Sequence, residues 1–421
     1  MAGSETWLRR LLRSKEETAL GPAIPHGRTR PSGPDTFAED SNDFALAMYG
    51  QLRQRPGNLF FSPFSIRTAL GMTYSGARGE TAAQMREALR FPPSDETLHI
   101  AFAKIIQRLN AAGDGEYELA VANSLWGQEG GELQAGFLEL IARYYGGAMN
   151  VVDFSLPADS VQVAINRWIE DKTKQKIRQL IPPGGLGAEA RLVLVNALYF
   201  KGMWQLQFRK SATSDEPFYL EGGGTVRTAL MYQRKEILYL QAKGYQAVHL
   251  NYRGDDFSML VLLPDRKDGL RDLEKRLSAQ MLKDCSARLG VGEVELYLPR
   301  FKITWGTGSI CDQLNTLGVT LAFDRSQADF SGINGRQPPH KEALFISAVY
   351  HKAFAEVNEE GTEAVAVSPF LLRKLGTALQ PSTPPPVPIF RADHPFVFAF
   401  RDRISGVILF LGRVVDPTQE N

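Results

Sequence analysis

The feature that most constrains this chain is a change of rhythm near residue 191. Before it, apolar residues return at helical spacing: Leu98, Phe102, Ile105, Ile106 and Leu109 share one face, as do Val161, Ile165, Trp168 and Ile169. After it come period-two or continuous apolar runs, "RLVLVNALYF" from Arg191, "AVHLNYRGDDFSMLVLLP", "VELYLPRFKITW" and "HPFVFAFRDRISGVILFLGRVV". The last reads as a hairpin turning at Ser405-Gly406. Helices gathered early and strands gathered late predict an α+β protein with large, mostly antiparallel sheets. With 421 residues, 43% of them hydrophobic, the chain can bury a large core.

Residues 1–37 stand apart. A short amphipathic run (Trp7, Leu8, Leu11 and Leu12 among arginines) leads into "GPAIPHGRTRPSGP", which reads as a flexible tail, against a docking helix or a regulatory segment. From residue 38 to 421 no linker or internal repeat divides the chain until the prolines near Pro384. Serine caps are expected at Ser62 and Ser65, and Thr81 followed by Gln84 has capping-box spacing. Lysine plus arginine (48) nearly cancel aspartate plus glutamate (47), so no global field favours nucleic acid or an anionic membrane as partner.

A search for chemistry yields little. No nucleophile elbow, zinc-protease helix, phosphate loop or calcium loop occurs, and Cys285 and Cys311 stand too isolated for a metal site, reading as free core thiols. No cofactor or metal is expected. His351, in "AVYHKAF", reads as a satisfied core histidine rather than a general base. "PGGLGAEA" precedes a strand, the wrong side for a dinucleotide loop. Arginines where a signal peptide would carry its apolar run, and the absence of an Asn-x-Ser/Thr site, favour a cytoplasmic address over an extracellular one. One stretch remains odd: "EVNEEGTEAVAVSPFLLRKLGTALQPSTPPPVPIF", from Glu356, starts as a smooth strand and then dissolves into basic residues and prolines.

From residue 38 onward the sequence resembles the serpin family. "NLFFSPFSIRTALGMTYSGARGETAAQM", "LVLVNALYFKGMW", "DFSMLVLLP", "LYLPRFKIT", "LGVTLAFDRSQADFSGI", "EVNEEGTEAVAV" and "HPFVFAFRDRISGVILFLGRVVDP" match the family's motifs in the family's order. The resemblance implies the serpin fold: three β-sheets, eight or nine helices, and an exposed reactive-centre loop, here at about 359–388, above a five-stranded main sheet. It implies a monomeric suicide-substrate inhibitor of serine proteases, not an enzyme. Once cut, the loop would enter the main sheet as a further strand and carry the acylated protease with it. The half-built strand is then a strand held in reserve.

The resemblance assigns a hinge to Glu359, Gly361, Thr362, Glu363, Ala364, Val365 and Ala366. It puts Ser62, Ser65, Asn196 and His351 in a shutter beneath the main sheet, Trp204 at the breach where insertion begins, and Glu359 with Arg300 in a salt bridge. The residues themselves support insertion: Thr362, Ala364, Ala366 and Ser368 make one small face of a strand, and Gly361 frees the backbone at the bend. Bonding about a dozen residues to two neighbours makes on the order of 10–20 kcal/mol available, at about 1 kcal/mol per hydrogen bond. Counting along the loop from Gly361 as in the family puts Leu375 before the cut bond and Gly376 after it, favouring chymotrypsin-like or subtilisin-like targets. Arg373 and Lys374 are the trypsin-like alternative. Two departures stand out. Pro369 lies in the inserting segment, where it removes a donor, and leaves open a non-inhibitory carrier, chaperone or structural role; Gln175, in "TKQKI", stands where a glycine is common.

Overall fold

The computed structural model describes residues 36–111, 117–130, 132–306, 308–361 and 386–420. Residues 1–35 of the expected tail, and the loop from Thr362 to Pro385, lie outside them; Thr36 and Phe37, expected in the tail, instead begin the first helix, with Phe37 buried. The helices are α1 (Thr36–Leu52), α2 (Pro63–Tyr74), α3 (Gly79–Ala88), α4 (Asp95–Ala111), α5 (Ala135–Tyr145), α6 (Ala158–Lys172), α7 (Leu270–Arg276), α8 (Ala279–Arg288), α9 (Cys311–Thr316) and α10 (Ser331–Asn334). The strands are β1 (Leu59–Phe61), β2 (Tyr117–Gln128), β3 (Ala148–Val152), β4 (Leu192–Gly202), β5 (Ser214–Tyr219), β6 (Thr225–Ala242) and β7 (Tyr245–Asn251). They continue with β8 (Phe257–Pro264), β9 (Gly290–Pro299), β10 (Phe301–Trp305), β11 (Ile346–Val357), β12 (Ile389–Arg391), β13 (Phe396–Asp402) and β14 (Ile408–Val414).

Five strands form the main sheet in the order β10-β11-β4-β2-β3. The run "LVLVNALYF" becomes β4, near its centre, and the reason it is continuously apolar is that both faces are covered. Leu192, Leu194, Leu198 and Phe200 join the large inner core, while Val193, Val195, Ala197 and Tyr199 join a second cluster under α6, with Ile165 and Ile169. The helical stripes read from the sequence are what α4 and α6 bury: Leu98, Phe102, Ile105 and Leu109 in one, Val161, Ile165 and Ile169 in the other.

The other strands pair as β1-β14-β13-β8-β7-β6-β9-β12, with β5 also on β6. The second and third sheets of the expected fold are thus one hydrogen-bonded surface, because the 18-residue β6 is longer than any neighbour and serves both. Leu230 to Tyr239 pair with β9, and Leu238 to Ala242 with β7. The described residues form ten α-helices rather than eight or nine, the surplus being short pieces such as the four-residue α10. The hairpin turns as expected, Gly406 taking φ +78° between β13 and β14.

The helix starts are partly different from expectation. Ser62 does cap α2, accepting from the Ser65 backbone N–H at 3.1 Å. Ser65 is no cap; its hydroxyl is used elsewhere, as described below. The capping box at Thr81 and Gln84 does not form, because both side chains reach across to another segment: Thr81 accepts from the Asp329 N–H, and Gln84 from the N–H groups of Thr320 and Leu321. Tertiary partners outbid the local ones here.

Candidate functional site

The seam between β4 and β11 carries the polar groups. These two neighbours are parallel: Ile346 lies opposite Leu192, and after a one-residue shift the register runs unbroken from Ala348 opposite Val193 to Ala355 opposite Phe200. Within that register His351 lies beside Asn196, and Asn196 beside Asn123 of β2. All three strands therefore present a polar side chain at one level of an apolar sheet.

The N-terminus of α2 meets them from below. The Ser62 backbone N–H donates to His351 Nε2 at 3.0 Å, and the Ser62 hydroxyl to the Leu409 carbonyl at 2.7 Å. An accepting Nε2 puts the ring proton on Nδ1, which donates to Asn196 Oδ1. The Asn196 amide then donates to Ser65 Oγ and to Asn123 Oδ1, and Ser65 Oγ donates to the same Asn123 oxygen at 2.8 Å. His351 is completely buried, and that burial drives its pKa down to about 3, so the ring is neutral. Ser62, Ser65, Asn196 and His351 are thus brought together, with Asn123 as a fifth member that the sequence reading missed. Its signal was there: an asparagine inside the apolar run "LAVANSLW".

The second cluster stands at the end of β11, where the chain leaves the sheet. Trp204, stacked on Tyr252 with ring centroids 4.5 Å apart, donates its indole N–H to the Asn358 carbonyl at 2.9 Å. The backbone N–H groups of Trp204 and Phe208 hold the carbonyls of Glu360 and Glu359 at 3.2 and 3.0 Å. The Glu359 carboxylate, 2% exposed, is gripped at two points by the Arg300 guanidinium, through Nε at 2.7 Å and through Nη2, and Thr213 donates to it as well. Burial pushes the Glu359 pKa up, but the hydrogen bonds from Arg300 and Thr213 outweigh it and hold the group below 4.5. Lys210 pairs with Glu360. Gly361 takes φ +71°, and a Cβ there would lie 2.2 Å from the Trp204 nitrogen, so only glycine fits.

Asn196 and Trp204, close in sequence, serve different clusters, because β4 runs from one to the other. Thr213 and Lys210 had no signal in the sequence, since they reach Glu359 and Glu360 only through the fold. Thr362, Glu363, Ala364, Val365, Ala366, Pro369, Arg373, Lys374, Leu375 and Gly376 fall outside the described residues. Among the described residues no group of three His, Cys, Asp or Glu side chains stands close enough to hold a metal ion.

The model of the serpin (serine protease inhibitor) family matches residues 39–417. Among curated proteins, the leukocyte elastase inhibitor of Equus caballus is 37% identical over 384 residues, covering 89% of this chain and 97% of its own. Among solved structures, uncleaved ovalbumin superposes with a TM-score of 0.79 at 28% identity, covering 90% of this chain and 99% of its own. Human thyroxine-binding globulin, solved with its hormone, gives the same score at 29% identity, covering 91% and 99%.

Proposed function

Since the chain belongs to the serpin family, we propose that it inhibits serine proteases as a suicide substrate, offering the loop after Gly361 for cleavage and trapping the acyl-enzyme by inserting that loop between β4 and β11. The observation that carries this reading is the parallel pairing of those two strands. A segment that turns back after β11 runs antiparallel to it, and therefore antiparallel to β4 as well. Entry exchanges one parallel ladder for two antiparallel ones, which are slightly more stable per residue. The nine paired positions given up lower the gain from the sequence-based range toward its bottom, leaving about 10 kcal/mol at about 1 kcal/mol per bond. That still rivals the stability of a whole domain.

The two clusters acquire roles in this reading. The His351–Asn196 bond spans the very strands that must part, so the buried network holds the seam shut until insertion replaces it. Arg300, Thr213, Trp204 and Phe208 fix the root of the loop at Glu359 and Glu360, so that insertion starts from a set point. The leukocyte elastase inhibitor supports a serine protease as partner. The two cysteines are free thiols, in keeping with a reducing, intracellular compartment.

A carrier role is the second reading, favoured by Pro369 and by the likeness to a structure holding thyroxine. Incubation with a panel of chymotrypsin-like, subtilisin-like and trypsin-like proteases separates the two on a denaturing gel. A covalent complex is expected, releasing a small fragment that begins at Gly376 by mass spectrometry. A fragment beginning at Lys374 or Leu375 moves the bond and the protease class, and no complex with any of the three classes leaves the carrier role.

A further inference from the structure

Away from the β4–β11 seam, the described residues line a half-open cavity of about 200 Å³ where β6 and β7 meet the chain that follows β4. Its wall is mostly apolar, with Trp204, Phe208, Ile237 and Leu250 among the lining, and two more apolar side chains that line it, Leu206 and Val291, are 41% and 72% exposed. Exposed apolar groups around a hollow are a common mark of a binding site.

The polar part of the wall is unbalanced. Gln233 Oε1 and Asn251 Oδ1 are buried with no hydrogen-bond partner, and the Gln233 side chain belongs to a residue only 7% exposed. The Asn251 amide nitrogen is committed, donating to Gln205 Oε1 at 3.1 Å and to Asp255 Oδ1 at 3.5 Å, so its oxygen is the end left over. Unmatched buried acceptors are costly, and two in one wall call for donors from outside. Glu236 is the one formally charged residue in the lining, and neighbouring Arg234 is occupied by Glu293 at 2.9 Å. His249 contributes no positive charge at neutral pH, since burial, with Arg401 and Arg403 nearby, keeps its pKa down at about 4.

We propose that this cavity binds a small organic amine with a single-ring apolar body. A cavity of roughly 150 Å³ accommodates benzene, so this one has room for a ring and a short chain. The ring lies against Trp204 and Phe208, the ammonium group faces Glu236, and a swing of the terminal amides lets Asn251 and Gln233 accept its N–H groups. Water alone would satisfy the two oxygens but would leave the apolar wall wet. Because Trp204 and Phe208 also hold the backbone of Glu360 and Glu359, an occupant touches the residues at the root of the loop. The binding itself does not depend on protease inhibition.

Ligand-observed NMR titration of the full chain tests this with phenethylamine and with 3-phenylpropionate, an anion of similar shape. Saturable binding of the amine, at least fivefold tighter than the acid, is expected. Glu236→Gln, at an exposed position, should weaken the amine about fivefold, the worth of one exposed ion pair, and the half-buried Leu238→Trp should fill the cavity and abolish binding. Equal binding of acid and amine, no saturable binding of either, or an unchanged affinity in Glu236→Gln would each overturn the proposal. Should Leu238→Trp shift the thermal midpoint, the Glu236→Gln comparison alone decides.

Discussion

His351 is buried and neutral, and that has a consequence for pH. Its pKa is about 3 in the folded protein against 6.5 for the free side chain. Below 6.5 the unfolded chain takes up the proton and the folded one does not, so stability is complete above pH 6.5 and falls as pH drops toward 3, by up to about 1.4 kcal/mol per pH unit. Chemical denaturation of the His351→Asn variant at several pH values should therefore give lower stability at pH 7 but a shallower decline between pH 6.5 and 4.5. His99 and His249 are lowered too, so the slope loses one proton's worth rather than vanishing. An identical slope in variant and parent would mean that His351 is not held neutral. A second residue holds a strained backbone. Gln175 sits at φ +65° just past α6, exposed, with its N–H bonded to the Glu170 carbonyl at 2.7 Å. The family's glycine belongs at such a helix end, and Gln175→Gly should raise stability by about 0.5–1 kcal/mol, read as a higher urea midpoint at constant m.

Among elements, the junction of β11 with the chain after β4 is set by one glycine. A methyl group at Gly361 meets the Trp204 nitrogen at 2.2 Å and the Gly202 carbonyl at 2.4 Å, both backbone atoms that cannot rotate away. Positive φ adds about 1–2 kcal/mol for any other residue. Gly361→Ala should therefore detach the Glu359–Gly361 segment from Trp204, costing at least about 2 kcal/mol, with faster amide exchange at Trp204 and Phe208. Unaltered exchange at both amides would show that the segment is not anchored as described. The same element scale explains the missed capping box: Thr81 and Gln84 have the right spacing, but Asp329, Thr320 and Leu321 arrive from 236 to 248 residues away.

For the whole molecule, the proposed mechanism requires that the main sheet, with β4 and β11 paired, can still gain a strand. Cutting the loop between Pro369 and Gln380 with a nonspecific protease should raise the thermal midpoint by tens of degrees, since about 10 kcal/mol of ladder becomes accessible. An unchanged midpoint after clean cleavage would show that the loop does not insert. Pro369 makes the measurement informative, because insertion halted there would leave a smaller rise than insertion of the full length.

The sequence alone determined the architecture, because both signals it rests on are local. Period-3.6 stripes in α4 and α6 and the doubly apolar run of β4 follow from which faces are covered, and the order of the family's motifs is written directly in the chain. It also named four of the five seam residues, although only through resemblance, and the fork of Arg300 on Glu359. Asn123, Thr213, Lys210 and the amine-sized cavity at β6 and β7 came only from the tertiary structure. A polar side chain in an apolar strand announces that it has a partner, but which partner depends on strand register and on loops closing over hundreds of residues. The parallel pairing of β4 with β11, on which the proposed mechanism turns, is of that kind: two strands more than 140 residues apart, whose relative direction no local pattern encodes.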